Sequence, residues 1–175
     1  MSKKKWIAAA CCVLLLSAPA AAQNWPTKPV RLIVGFPPGG STDLVARYLA
    51  EPLSYSLGQQ VVVDNRSGAN GAMGTAIAAK STPDGYNYLV VYDSHATNPS
   101  LQKNIPFDTV KDFAPIMLIA SSPMVLVVNP ASPYRTLGDL IAAAKSRPGE
   151  LTLGSGGIGS RGHLAMALLA GKAGF

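Results

Sequence analysis

The stretch Gly35-Phe36-Pro37-Pro38-Gly39-Gly40-Ser41-Thr42-Asp43 sets glycines and short polar side chains between an apolar run and an amphipathic one. The chemistry this suits is capture of an anion. Glycines leave no Cβ between backbone and ligand, and the free N–H groups of a helix start, with the helix dipole behind them, seat a negative charge. Gly35 and Gly40 match the glycine spacing of a Walker A loop, but Ser41 stands where the phosphate-binding lysine should follow. A triphosphate would therefore lack its main counter-charge. A single carboxylate asks for less, because a few backbone N–H groups and a hydroxyl satisfy it, at about 1.5–3 kcal/mol per charge-assisted bond. The same turn also serves as a plain strand-to-helix connection, which α/β folds need with or without a ligand.

A second glycine turn, Gly154-Ser155-Gly156-Gly157-Ile158-Gly159-Ser160, follows the strand-like Leu151-Thr152-Leu153 and precedes a helical stretch over 161–170. Gly154, Gly156 and Gly159 fit G-x-G-x-x-G, yet the acidic residue that would hold a ribose about 20 positions later is absent. What transfers is the mechanism: a backbone open to a small anion, with the Ser155 and Ser160 hydroxyls as donors. His95 falls in a loop, 93–99, after the third strand, at the sheet edge where ligands of open α/β folds sit. His163 lies in the first turn of the last helix. Neither histidine has metal-ligand company at a suitable spacing, and Ser160 fails as a nucleophile elbow because Ile158 occupies the glycine position of G-x-S-x-G. No catalytic residue, metal or cofactor is expected.

The elements that must position these turns read as alternating strands and helices. Val30, Leu32, Ile33 and Val34 suit a strand buried on both faces. The helix after it carries the apolar stripe Leu44, Val45, Tyr48, Leu49, Leu53 and Leu57, is capped by Ser41, Thr42 or Asp43, and should kink or break at Pro52. Residues 60–64 form a second strand. Gly68, Gly71 and Gly74 then mark a small-residue helix, capped by Asn70, that can lie very close to the sheet. Pro83-Asp84-Gly85 turns the chain into a third strand over 86–91. That order predicts a parallel α/β sheet with right-handed crossovers. Beyond it, Ile105, Pro106 and Phe107 suggest a self-packed surface loop. Two further strands are expected over 113–119 and 125–128, with Ser121, Ser122 and Pro123 near a hinge between lobes. Thr136 should cap a helix through Leu137, Leu140, Ile141 and Ala144 that ends at Arg147-Pro148-Gly149.

The first 22 residues read as a secretory signal peptide: Lys3, Lys4 and Lys5, an apolar run over 6–16, then small residues, with cleavage after Ala22. The apolar run is shorter than the roughly 20 residues a membrane span needs. Its removal takes away both cysteines and three lysines, leaving 12 basic against 9 acidic side chains, a net charge of +3 rather than +6. Those charges are scattered, which argues against nucleic-acid binding. An exported chain without cysteine is held by its core, and the 153 residues after the leader suffice for one.

Trp25-Pro26-x-x-Pro29-Val30-x-Leu32-Ile33-Val34, Phe36-Pro37-Pro38-Gly39-Gly40-Ser41-Thr42-Asp43, Pro83-Asp84-Gly85-Tyr86 and Gly157-x-Gly159-Ser160-x-x-His163-Leu164 together resemble the solute-binding receptors of tripartite tricarboxylate transporters, the Bug receptors. The resemblance runs from Trp25 to Phe175. It implies a periplasmic binding protein-like α/β fold of two Rossmann-like lobes with a ligand cleft between them. It also implies a periplasmic, monomeric receptor, not an enzyme, that captures a small carboxylate-bearing solute for the membrane subunits of such a transporter. By the same resemblance the first turn would hold one carboxylate through Phe36, Gly39, Gly40, Ser41, Thr42 and Asp43. The loop after the third strand would add Ser94 and His95, and the second lobe Ser155, Gly159 and Ser160. Gly156 stands where such receptors often have serine, and His95 where a small hydroxyl residue is common. Receptors of this kind are about twice as long, so residues 23–120 are expected to form a first lobe lacking its return segment and 121–175 the start of a second, with the chain truncated within it. Two other readings share the sequence: a secreted α/β enzyme acting on a small carboxylate, and a solute-sensing module for a membrane kinase.

Overall fold

The computed structural model describes residues 24–175. The leader and its cleavage point lie outside the described residues. Three parallel strands form the sheet, β1 (Val30–Val34), β2 (Val61–Asn65) and β3 (Asn87–Val90), in the order β2-β1-β3. Val30 pairs with Val61 and Val34 with Asn65 on one side, and Val34 with Val90 on the other. The central place of β1 explains its almost unbroken apolar run, since both its faces are covered. Arg31 is the exception, and it pairs with the Asp64 carboxylate on β2.

Helix α1 (Ser41–Leu57) connects β1 to β2 and α2 (Ala72–Ala79) connects β2 to β3. Both strand-to-strand connections are thus helical crossovers, as parallel pairing requires. Val30, Leu32, Val34, Val61 and Val90 pack with Ala46 of α1 in one core, and Ala50, Leu57 and Phe36 border it. Ile33, pointing to the opposite face, is fully buried. α1 runs through Pro52 without a break, contrary to the expected kink. The carbonyl that Pro52 leaves without its helical partner belongs to Tyr48, a residue 81% exposed, where solvent can satisfy it. The buried stripe also differs from the expected one: Thr42, Asp43 and Ala46 face inward, while Leu44 and Tyr48 face out.

α2 is brought as close to the sheet as its small residues promised. A Cβ on Gly74 would lie 2.7 Å from the Gly35 Cα, and one on Gly35 would lie 2.7 Å from the Gly71 carbonyl oxygen. Its cap is Gly71, not Asn70, which holds a left-handed backbone (φ 53°) and turns its side chain elsewhere. Residues 93–99, expected as a loop, instead begin helix α3 (Ser94–Leu101), with Pro99 inside it. At the opposite edge of the sheet, Trp25 packs on the Tyr86 ring at 6.0 Å, and the Thr27 N–H donates to the Tyr86 hydroxyl at 2.9 Å.

Beyond α3 the chain has two helices, α4 (Leu137–Ser146) and α5 (Arg161–Ala173). Thr136 caps α4 as expected, in a reciprocal box with Asp139. Residues 113–119, 125–128 and 151–153 are not strands among the described residues. A strand is defined by the neighbour that takes its hydrogen bonds, and among the described residues these runs have none. These runs keep their apolar side chains in the open, with Leu118 84% and Val127 78% exposed.

Alanine ordinarily favours a helix over glycine by about 1 kcal/mol. Gly74→Ala is expected to do the reverse, lowering stability by about 1–3 kcal/mol because its methyl meets backbone rather than a movable side chain. A thermal melt that rises in this variant would contradict the close packing.

Candidate functional site

The first turn leaves the carboxyl end of β1 with Gly35 seated on Gly71. The Phe36 ring then meets Tyr92 edge-on at 6.3 Å, and the Phe36 carbonyl accepts the Asn65 side-chain amide at 3.0 Å. Gly39 adopts φ +84°, which a side chain would resist. Gly40 is the helix cap. None of Ser41, Thr42 and Asp43 serves as the expected side-chain cap, and among the described residues no side chain bonds to the amides of the helix start. The reason is that glycine at the capping position brings no oxygen, while Asp43 is turned underneath. The amides of Ser41, Thr42 and Asp43 therefore keep the unpaired state of any uncapped helix start, with the dipole behind them. Such a set of backbone donors is suited to a negative charge.

Asp43 holds that seat in shape. Its carboxylate, 1% exposed, accepts the Gly39 N–H at 2.8 Å, the Arg47 Nε at 2.9 Å and the Asn65 side-chain amide at 2.9 Å. The Arg47 hydrogen bond first, then those of Gly39 and Asn65, keep its pKa far below the usual carboxylate range. With its oxygens so engaged, Asp43 supports the turn from below and Arg47 balances its charge. Thr42 is also buried, and Ser41 faces solvent beside the open amides.

The second turn packs against the same edge. A Cβ on Gly159 would lie 2.5 Å from a Leu101 methyl and 3.3 Å from the Asn70 side-chain nitrogen. The Thr97 hydroxyl donates to the Gly159 carbonyl at 3.4 Å. Ser160 caps α5 by accepting the His163 N–H at 3.3 Å, and His163 returns the contact when its Nδ1 accepts the Gly159 N–H at 3.3 Å. His163 thus fastens the helix start, leaving the Arg161 and Gly162 amides as the open donors there. Ser155 is exposed and accepts the Gly157 N–H at 3.4 Å.

Of the two residues after β3, Ser94 is buried beside Gly71, adjoining the first turn. His95 points elsewhere. It stacks on Phe107, meets Phe113 edge-on and places Nε2 3.2 Å from the Thr109 carbonyl. It therefore packs the 105–113 loop, as its neighbours Ile105, Pro106 and Phe107 suggested for that loop.

Sequence reasoning missed the amides that join these pieces. Asn98, 1% exposed, donates to the Asn70 carbonyl at 3.1 Å and receives the side-chain amides of Asn70 and Gln102. Gln102 also donates to the Ala69 carbonyl at 2.9 Å. Together they clamp Ala69 and Asn70 in left-handed conformations (φ 48° and 53°) that cost of order 1–2 kcal/mol each. Two of these amides stand at the end of α3 and the third lies 28 positions before Asn98, so no local pattern would have revealed the contact.

The family described as "Tripartite tricarboxylate transporter family receptor" matches residues 45–175. Protein BugT of Bordetella pertussis is 44% identical over 155 residues, which is 87% of this chain and 48% of that protein. Among solved structures, R. palustris Rpa4515 with adipate has a TM-score of 0.81 at 40% identity, covering 86% of this chain and 50% of its own. Periplasmic binding protein BugD has a TM-score of 0.70 at 34% identity, with 86% and 50% covered. The chain spans about half the length of the curated relatives it matches. The α/β arrangement on a parallel sheet is the periplasmic binding protein fold of these neighbours.

Asp43 also sets a pH response. A carboxylate whose folded pKa is depressed adds stability above its ordinary value of 3.8, and that stability is lost as the pH falls from there toward the folded value. Asp43→Asn should therefore be less stable than the parent at pH 7, with the gap closing below about pH 4. Melting curves recorded from pH 7 to pH 2.5 test this, and parallel curves for the two proteins would refute it.

Proposed function

We infer the function from kinship and from one site: the chain belongs to the tripartite tricarboxylate transporter receptor family, and its first glycine turn leaves a helix start uncapped. We propose that it is a periplasmic receptor that captures a small carboxylate-bearing solute and presents it to the membrane subunits of a tripartite transporter. The observation that carries this reading is the Gly40 cap with no side-chain oxygen on the helix start. Three amides, the Ser41 hydroxyl and the helix dipole then remain for an anion, while Asp43 is withdrawn beneath them. The second turn, with the Arg161 and Gly162 amides and the Ser155 and Ser160 hydroxyls, faces the solute from the other lobe. Adipate in the Rpa4515 structure supports a solute of this class.

In this reading the leader is removed after Ala22, the protein acts as a single copy, and it binds without turning its solute over. Residues 23–120 belong to the first lobe and 121–175 to the second. Among the candidate residues, Gly39, Gly40, Ser41 and Thr42 form the primary seat. Phe36 and Ser94 wall it, and Asp43 keeps its shape. His95 acts at a distance through the loop it packs.

Thermal unfolding with a panel of mono-, di- and tricarboxylates, adipate included, is the test. A solute at about 100 times its dissociation constant should add about 2.7 kcal/mol. A Cβ on Gly40 meets only the Pro37 carbonyl at 3.5 Å, an ordinary contact. Gly40→Val is therefore expected to unfold near the parent temperature but to lose the carboxylate shift. An unaltered shift in this variant, or no shift with any acid in the parent, would overturn the proposal.

A further inference from the structure

The second glycine turn is fastened to the first sheet by side chains that neither anion seat uses. Arg161, the first residue of α5, places its Nε 3.1 Å from an Asp93 carboxylate oxygen at the end of β3, and its guanidinium lies 5.4 Å from the Tyr92 ring centre. The Nε–H is not aligned on that oxygen and has no other acceptor, so the contact is an ion pair rather than a formed hydrogen bond. Both side chains are about a third exposed, at 37% and 34%. Beside them lies an open cavity of about 270 Å³, walled by Leu164 and Leu168, in place of packed side chains. The remaining joints here are the Thr97 hydroxyl on the Gly159 carbonyl and the Leu101 methyl against Gly159.

We propose that the side chains of Asp93 and Arg161 form a reversible clasp that sets the spacing between the two glycine turns, and that these side chains position the turns and do not contact the solute. The features above fit a joint meant to open. A partly exposed ion pair is weak and sensitive to salt, and a cation over a tyrosine face adds a modest attraction. Such a joint biases two arrangements without locking either, which is the scale on which a solute can shift them. Asp93 and Arg161 also neutralise each other next to the seats, so opening the clasp would bare a cation and an anion at the rim. The effect on solute affinity rests on the receptor reading above; the clasp itself does not.

The experiment reads distance directly. In the full chain with Cys11→Ser and Cys12→Ser, Tyr55→Cys and Gly171→Cys supply two exposed spin-label sites, one on α1 and one on α5. The labelled parent should show one dominant distance. Asp93→Asn and Arg161→Gln should each raise the share of a second distance by about 1.5- to 5-fold, as expected for loss of an exposed pair. The exchanged pair Asp93→Arg with Arg161→Asp should return most of it, and 0.5 M salt should imitate the single variants in the parent. Distance distributions unchanged in both single variants, or an exchanged pair as broad as the singles, would overturn the clasp. Carboxylate titration of the same proteins is a separate readout: if the parent binds no acid, the receptor reading fails while the distance result still stands or falls alone.

Discussion

A buried carboxylate is the constraint on which the first turn depends. Asp43 joins three pieces that sequence order keeps apart: the loop through the Gly39 N–H, the helix through Arg47, and the neighbouring strand through Asn65. A charge removed from water is costly unless its oxygens are matched, and here both are. The loop takes its shape from that requirement. Because Asp43 bonds Gly39, Arg47 and Asn65 and not the first amides of its own helix, the helix start is left with donors and no side-chain acceptor. The same interaction that stabilises the fold thus creates an unmet demand for negative charge at the surface.

Close backbone packing carries this arrangement outward. Gly35 lies on Gly71, the adjacent Asn70 lies against Gly159, and Gly159 sits on Leu101. Each contact excludes a side chain, so the two glycine turns are linked by a short line of positions where little can be added. The amide clamp of Asn70, Asn98 and Gln102 runs beneath that line and holds a backbone that would otherwise relax. Shape at this edge is set by hydrogen bonds and by missing Cβ atoms, more than by apolar burial.

This division explains what could be read from the chain alone. The order of strand, glycine turn and helix was legible because an apolar run, two prolines and a pair of glycines act locally. Thr136 was legible as a cap for the same reason, whereas Ser160, read as a donor, accepts the His163 N–H as the cap of α5. The inward turn of Asp43 was not, since it depends on Asn65, 22 positions away and on another strand. Helix α3 was hidden by Ser, His, Thr, Asn and Pro, which read as loop until Asn98 finds its partner in Asn70. The runs at 113–119, 125–128 and 151–153 show the opposite error. Their composition is that of strands, but pairing is a property of two segments, and composition reports only one. Of the candidate residues, those of the first turn lie between β1 and α1 as their order implied, whereas His95 was drawn into an aromatic cluster whose members lie 12 and 18 positions further on.

Trp25 gives the fold an optical property of its own. It is the sole tryptophan of the described residues, and it rests on Tyr86 at the amino-terminal edge of the sheet, while both glycine turns occupy the carboxyl-terminal edge. Indole emission from this protein is therefore a reporter of whether the sheet is intact at its base. A change confined to the far edge leaves the surroundings of Trp25 untouched, so emission from this residue follows the base of the sheet and not the turns.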